Sequence, residues 1–230
     1  MFLINPYILQ ASGNPLWDGL QAYYTADNTP NDALGNYNGT LVNGASYGTG
    51  IINNGFSLDG VNDYVDLGNN LDFDGSTPFS FNLWVNPTSI SNDMLFWKMN
   101  AGLLTAGYLC YIYTGNLLEF ILANSSSNRI YVKTSTAISG SVFSMITITY
   151  DGSKDVSGVK IYINGVSDTL TTINNTLTGS TSNTEDLYFG RGVSSANYFG
   201  GIQDEISVFN KELTASEVTQ LYNGGAGLQY

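Results

Sequence analysis

The chain has 230 residues, a formal net charge of −12 and only seven lysines and arginines, so it lacks the continuous basic stripe that a phosphate backbone requires; nucleic-acid binding is not expected. It has no histidine, which removes Ser-His-Asp triads, Cys-His dyads, His-ligated zinc and histidine acid–base chemistry in one step. Charged residues make up 11% while glycine numbers 26, tyrosine 16 and phenylalanine 11, the composition of a single all-β sandwich kept in solution by Asn, Ser and Thr.

Residues 1–15 hold Phe2, Leu3, Ile4, Tyr7, Ile8 and Leu9 around Pro6, then a polar break at Ser12, Gly13 and Asn14. This reads as an N-terminal assembly arm, with an edge strand of the domain as the other reading. The start MFLINPYILQ lacks the basic region, long apolar core and small-residue cleavage site of a secretory signal, and no segment is long enough to cross a bilayer as a helix. Residues 16–230 are then one domain. Its first strand is expected at 20–25, followed at 26–38 by ADNTPNDALGNYN, a loop of carboxylates, amides and glycine whose hard oxygens suit Ca²⁺ although the spacing matches no EF-hand. Short strands are expected at 39–42, 55–58 and 63–67; Asp59, Asp63 and Asp66 beside the Asp59-Gly60 turn read as solvent-facing acids, with a second metal cluster as the other reading.

The clearest interior strand is 79–87, where Phe79, Phe81, Leu83 and Val85 alternate with Ser80, Asn82, Trp84 and Asn86. A meander follows over 94–99, 108–114, 117–123 and 129–134. Cys110 is the sole cysteine; between Leu109 and Tyr111 it reads as a structural thiol in a strand. Trp97, Tyr108, Tyr111, Tyr113, Phe120 and Tyr131 are candidates to line one sheet as stacking platforms for sugar rings, Trp97, Tyr111, Tyr113 and Tyr131 above all, although aromatic residues also favour strands for their own sake. Further strands are expected at 143–150, 158–164, 166–173 and 186–190, the Asn164-Gly165 pair marking a hairpin.

The run 201–225, GIQDEISVFNKELTASEVTQLYNGG, closes the domain. Strict alternation places Asp204 in an apolar row with Ile202, Ile206 and Val208, where a carboxylate needs a cation or hydrogen-bond donors to offset its desolvation. Thr214 to Glu217 reads as a capping box for a helix over about 214–223, ended by Gly224 and Gly225.

This run resembles the end of the laminin G-like jelly rolls of the concanavalin A-like lectin and glucanase superfamily, as do NYNGTLVNG from Asn36, GFSLDGVNDYVDLG from Gly55, FSFNLWVNP from Phe79, ITITYDGS from Ile146 and VKIYINGV from Val159. The resemblance spans roughly residues 16–225. It implies a jelly-roll sandwich of two antiparallel sheets with one short C-terminal helix, a buried tryptophan at Trp84, and a structural calcium joining the opening loop to the closing strand through Asp27, Asp32 and Asp204. The glucanases of this superfamily carry an E-x-D-x-x-E strand, which is absent here; among the glutamates only Glu119 sits mid-sheet, and no acid stands two positions from it. Adjacent acids such as Asp204 and Glu205 are expected to point to opposite faces. The expectation is therefore a non-enzyme: a virion structural protein in a decoration, fibre or adhesion role at the virion surface, its INPY start resembling phage structural proteins. Expected partners are other virion proteins through the arm, a host glycan and further copies of the chain, with no membrane insertion. The alternatives are a carbohydrate-binding lectin module of a bacterial surface or secreted protein, and a glycosidase.

Overall fold

The structure is a computed structural model and describes residues 15–88, 93–100, 105–192 and 197–230. The expected arm, apart from Pro15, lies outside the described residues. In chain order the strands are β1 (Leu20–Tyr24), β2 (Thr40–Val42), β3 (Ser46–Thr49), β4 (Asn54–Asp59), β5 (Tyr64–Asp66), β6 (Phe79–Pro87), β7 (Asp93–Met99), β8 (Gly107–Tyr113), β9 (Leu117–Ser125), β10 (Asn128–Ala137), β11 (Ser144–Tyr150), β12 (Val159–Ile163), β13 (Val166–Ser167), β14 (Leu170–Asn175), β15 (Tyr188–Phe189) and β16 (Gly200–Phe209). Helix α1 (Ala215–Tyr222) follows.

Two antiparallel sheets stack on one another. The first runs β13-β12-β11-β6-β16-β4-β3 with β1 also paired to β16, and the second runs β14-β10-β9-β8-β7-β15-β5-β2. First and last strands are neighbours, Tyr23 opposite Ser207 and Tyr24 opposite Ile206, as the jelly-roll reading requires. Between the sheets, Phe79, Phe81, Leu83 and Val85 of β6 meet Tyr108, Cys110, Phe120 and Leu122 of the second sheet in one core. Burial pushes the Cys110 thiol up, so it is the inert structural thiol expected.

The other face of β6 is buried too. Trp84 stacks on Tyr222 of α1 at 5.7 Å and 15° between planes, in a cluster with Leu16, Trp17, Met145, Phe209, Val218 and Leu221. The helix forms where its sequence signals place it: Thr214 and Glu217 close a reciprocal capping box, Val218 and Leu221 face inward, and Asn223 ends the helix in the left-handed region at φ 48°. This is the one α-helix among the described residues, and it covers the first sheet, leaving the outer face of the second without a helical layer.

Two expected strands change in the folded chain. Residues 166–173 divide into β13 and β14, which belong to different sheets, because Asp168 turns the chain across by accepting the Ser135 and Thr136 N–H groups at 3.1 and 2.9 Å and both of their hydroxyls. In β16 the alternation breaks between Asp204 and Ser207, where Glu205 takes φ 48° and forms a bulge. Ile206 and Val208 face the core, whereas a Cβ on Gly55 would meet Ile202 and Asp204 on the outer side. Asp204 is therefore not in the apolar row that strict alternation assigns to it.

Candidate functional site

The closing end of the first sheet holds two of the three carboxylates named for calcium, and the third lies in the opening loop beside it. Asp32 sits inside its own loop, where one oxygen accepts the Tyr23 and Leu34 N–H groups and the other those of Asn36 and Tyr37, at 2.8 to 3.2 Å. Those four bonds shape the 32–37 turn. Asp27 accepts from Asn54 N and Asn53 Nδ2, both at 3.0 Å. Asp204 is fully buried, and its Oδ2 accepts the N–H groups of Ile51 and Ile52 at 2.8 and 3.2 Å while Oδ1 accepts that of Glu205 at 2.8 Å. The turn at 51–52 thus offers Asp204 N–H donors, whereas a calcium site gathers six to eight oxygens around the ion. Asp27, Asp32 and Asp204 do not fit as one ligand set; among the described residues no three acidic, histidine or cysteine groups converge on a metal position. N–H donors perform the desolvation offset that the sequence left to either donors or a cation.

The bulge also corrects the expectation for the adjacent acids. Glu205, 2% exposed, accepts the Tyr23 hydroxyl and Gln229 Nε2, and Gln229 also reaches Asp27 at 3.4 Å. Asp204 and Glu205 therefore enter one network with Asp27 rather than opposite faces. Burial pushes Asp204 up to about 7, against the pull of its backbone donors, and Glu205 up to about 8. Above lies a small pocket of about 350 Å³ lined by Ile51, Ile52, Asn53, Gly225 and Ala226. Asp63 departs from expectation too: it is buried, and its carboxylate accepts Gly44 N at 2.7 Å and Asp59 N at 3.2 Å, a hairpin clamp rather than a solvent-facing acid.

The aromatic set divides by strand parity. Tyr108 and Phe120 point into the inter-sheet core, so neither can be a platform. Trp97 lies in a separate cluster with Met94, Met99, Leu109, Ile121 and Ala123, against which Tyr111, Tyr131 and Tyr188 pack. This is the outer face of the second sheet. Trp97 is 4% exposed and anchors its indole N–H on the Met99 carbonyl at 2.7 Å, so it supports the face without presenting its ring. Tyr111 and Tyr131 both donate to Glu119 Oε2 from either side, with their hydroxyls 3.1 Å apart. Burial pushes the Tyr131 hydroxyl up to about 12 and holds Tyr111 further above its ordinary value, so both remain donors at any ordinary pH. Tyr113 packs edge-on to Tyr111 at 5.6 Å and is 42% exposed. Three of the four expected rings thus form a continuous patch on this face, and the fourth lies beneath it.

Two contributors went unnoticed in the sequence. Arg129 lies 5.0 Å above the Tyr131 ring, and Arg191 lies against the edge-to-face pair Tyr64 and Tyr188, 4.6 and 4.5 Å from their ring centres. The signal for the first was present in Arg129-Ile130-Tyr131-Val132-Lys133, whose alternation sets Arg, Tyr and Lys on one face against two core residues.

Residues 59–219 match a family model described as the concanavalin A-like lectin/glucanases superfamily. The chain belongs to this superfamily. Among solved structures it is similar to domain 4 of AbnA, a GH43 extracellular arabinanase from Geobacillus stearothermophilus solved in complex with arabinotriose, with TM-score 0.67 and 24% identity over 87% of this chain and 97% of that one. The binding domain of Paraclostridial Mosquitocidal Protein 1 is similar at TM-score 0.74 and 20% identity, over 91% of this chain and 53% of that one. The botulinum neurotoxin serotype D binding domain follows at TM-score 0.70 and 17% identity, over 92% and 53% respectively. This chain therefore spans about half the length of those two toxin domains, and at such identities the likeness is one of fold. Among curated proteins none matches the chain in sequence.

Proposed function

We propose that the chain is a non-catalytic carbohydrate-binding jelly roll that contacts its glycan through the outer face of the second sheet. The observation that carries this is the Tyr111–Glu119–Tyr131 clamp with Tyr113 exposed beside it, on a sheet face that no described helix covers. Rings held by their hydroxyls lose little freedom when a sugar stacks on them, so more of the contact energy appears as affinity. The arabinanase domain of this fold, solved with arabinotriose, supports a saccharide as the ligand class. Glu119 supports a binding role over a hydrolytic one: glycoside hydrolysis needs a carboxyl pair flanking the bond, and the neighbours of Glu119 on its own face are Tyr111 and Lys133.

The finer setting in this proposal is the virion surface, with residues 1–15 docking the domain onto other virion proteins. A lectin module of a bacterial surface or secreted protein would use the same face. A glycan array with wild type and Tyr113→Ala, followed by titration of the hits, tests the contact face. Wild type should bind, and Tyr113→Ala should lose binding while melting normally. Unchanged binding in that variant, or release of reducing ends from the bound glycan, overturns the reading.

A further inference from the structure

We infer that the saccharide taken by this face is anionic, bearing carboxylate or sulfate groups. The inference rests on the carbohydrate reading above and deepens it. It comes from where the few cations of an acidic chain are, and which of them are neutralised.

Seven Lys and Arg residues stand against 19 Asp and Glu. Lys160 and Lys211 are paired with Glu212 and Glu217. Lys98 is buried and donates to Asn69 Oδ1 at 2.8 Å and to the Glu185 carbonyl, while Lys154 donates to the Thr178 carbonyl at 3.1 Å. The other three, Arg129, Lys133 and Arg191, form no ion pair among the described residues, and none of their side chains donates a hydrogen bond to another described residue. All three belong to the outer face of the second sheet: Arg129 and Lys133 share the face of Tyr131 on β10, and Arg191 is stacked on Tyr188 and Tyr64.

With 19 acidic residues against seven cations, Arg129 and Arg191 still lie against aromatic rings rather than a carboxylate, and Lys133, directly across from Glu119, forms no ion pair with it among the described residues. A guanidinium stacked on a ring is held in place with its N–H edges directed sideways, the arrangement that receives a planar carboxylate or a sulfate. Glu119 is the one carboxylate within the Tyr clamp, and two hydroxyl donors already occupy its Oε2. A neutral sugar would need only the rings and their hydroxyls. An anionic one must also overcome the repulsion of the whole chain, and a local strip of unpaired cations provides that. From β10 to β15 is four strand spacings of about 4.8 Å, roughly 19 Å. The face therefore suits an oligosaccharide, with Arg129 and Lys133 at one end and Arg191 at the other. Cations this far apart do not make the continuous stripe that nucleic acid requires.

The test is calorimetric titration of the full chain with three probes: an oligogalacturonate, a sulfated heparin hexasaccharide and a neutral arabinan oligosaccharide, each at about 50 and about 300 mM salt. A single-stranded DNA oligomer is the polyanion control. One or both acidic saccharides should bind, more weakly at the higher salt. Arg129→Gln combined with Lys133→Gln should weaken them about tenfold with an unchanged melting temperature. Arg129→Lys, which keeps the charge without the fork, should fall in between and guards against a folding defect in the double variant. Equal or tighter binding of the neutral saccharide, no effect of the double variant, or equal binding of DNA overturns the inference. If the neutral saccharide binds and Tyr113→Ala abolishes it, the carbohydrate reading stands and only the anionic inference falls. If no saccharide binds, both fall.

Discussion

Replacing Glu205 by Gln should flatten part of an unusual pH profile of stability. Glu205 and Asp204 are both buried, and burial pushes them from 4.5 and 3.8 up to about 8 and about 7. A carboxyl with a folded pKa above its unfolded value holds its proton more tightly when folded. Its contribution is therefore fully present below the unfolded value and is lost as pH rises through the folded one. Folded and unfolded values differ by about 3 pH units for each group, and at 1.36 kcal/mol per unit the loss between about pH 5 and about pH 9 is up to about 4 kcal/mol per carboxyl. Groups held low act at the other extreme: Asp74, stabilised as the anion by the Ser180 and Ser76 hydroxyls, loses its contribution only as pH falls through about 2. Stability should thus be greatest in mild acid. In Glu205→Gln, Oε1 can still accept from Gln229, and the new amide can donate to the Tyr23 oxygen, so the contacts survive while the titration does not. Urea unfolding at about pH 5, 7 and 9 measures this. Wild type should weaken steadily with pH, and the variant should lose roughly half of that slope. A wild-type profile that is flat or rising over this range, or a variant with the full wild-type slope, refutes the argument.

Melting temperatures in EDTA and in excess calcium should coincide, because N–H donors already occupy the oxygens of Asp204 and Asp32. An increase of about 2.7 kcal/mol at a hundredfold excess over Kd, lost in Asp204→Ala, would restore a structural calcium at this end. Trp84→Ala should cost about 3 to 5 kcal/mol by urea midpoint, since it empties the contact between the first sheet and α1; a cost below about 1 kcal/mol would mean that the helix does not depend on that contact. Deleting residues 1–15 should leave a domain that melts normally and fails to enter particles; an unfolded product would make the segment an edge strand instead.

Much of the fold was legible because strands with one buried face carry a period of two, and because the capping box of α1 is a local signal that tertiary contacts do not override. The bulge at Glu205 was not legible. A left-handed glutamate has no local signature, as glutamate lacks the conformational freedom of glycine and the short side chain of asparagine. One such residue reverses the facing of everything before it relative to everything after. That is why Asp204 looked like a core acid beside Ile206 and turned out to bind the 51–52 turn on the outside.

The same parity rule separates the platform tyrosines from the core ones, and it makes the candidate face depend on register. Tyr108, Cys110 and Ile112 face the core, and Leu109, Tyr111 and Tyr113 lie on the opposite face. A slip of one residue in β10 would bury Arg129, Tyr131 and Lys133 and expose Ile130 and Val132, an exchange no charged residue tolerates without a partner. The register is held from the strand's first residue. Asn128 accepts the Thr178 and Gly179 N–H groups at 3.0 and 3.1 Å and donates to the Thr176 carbonyl at 2.9 Å, tying β10 to the chain that leaves β14. The cationic edge of the face is thus positioned from the asparagine that precedes it, and the alternation of β10 carries that placement on to Arg129, Tyr131 and Lys133.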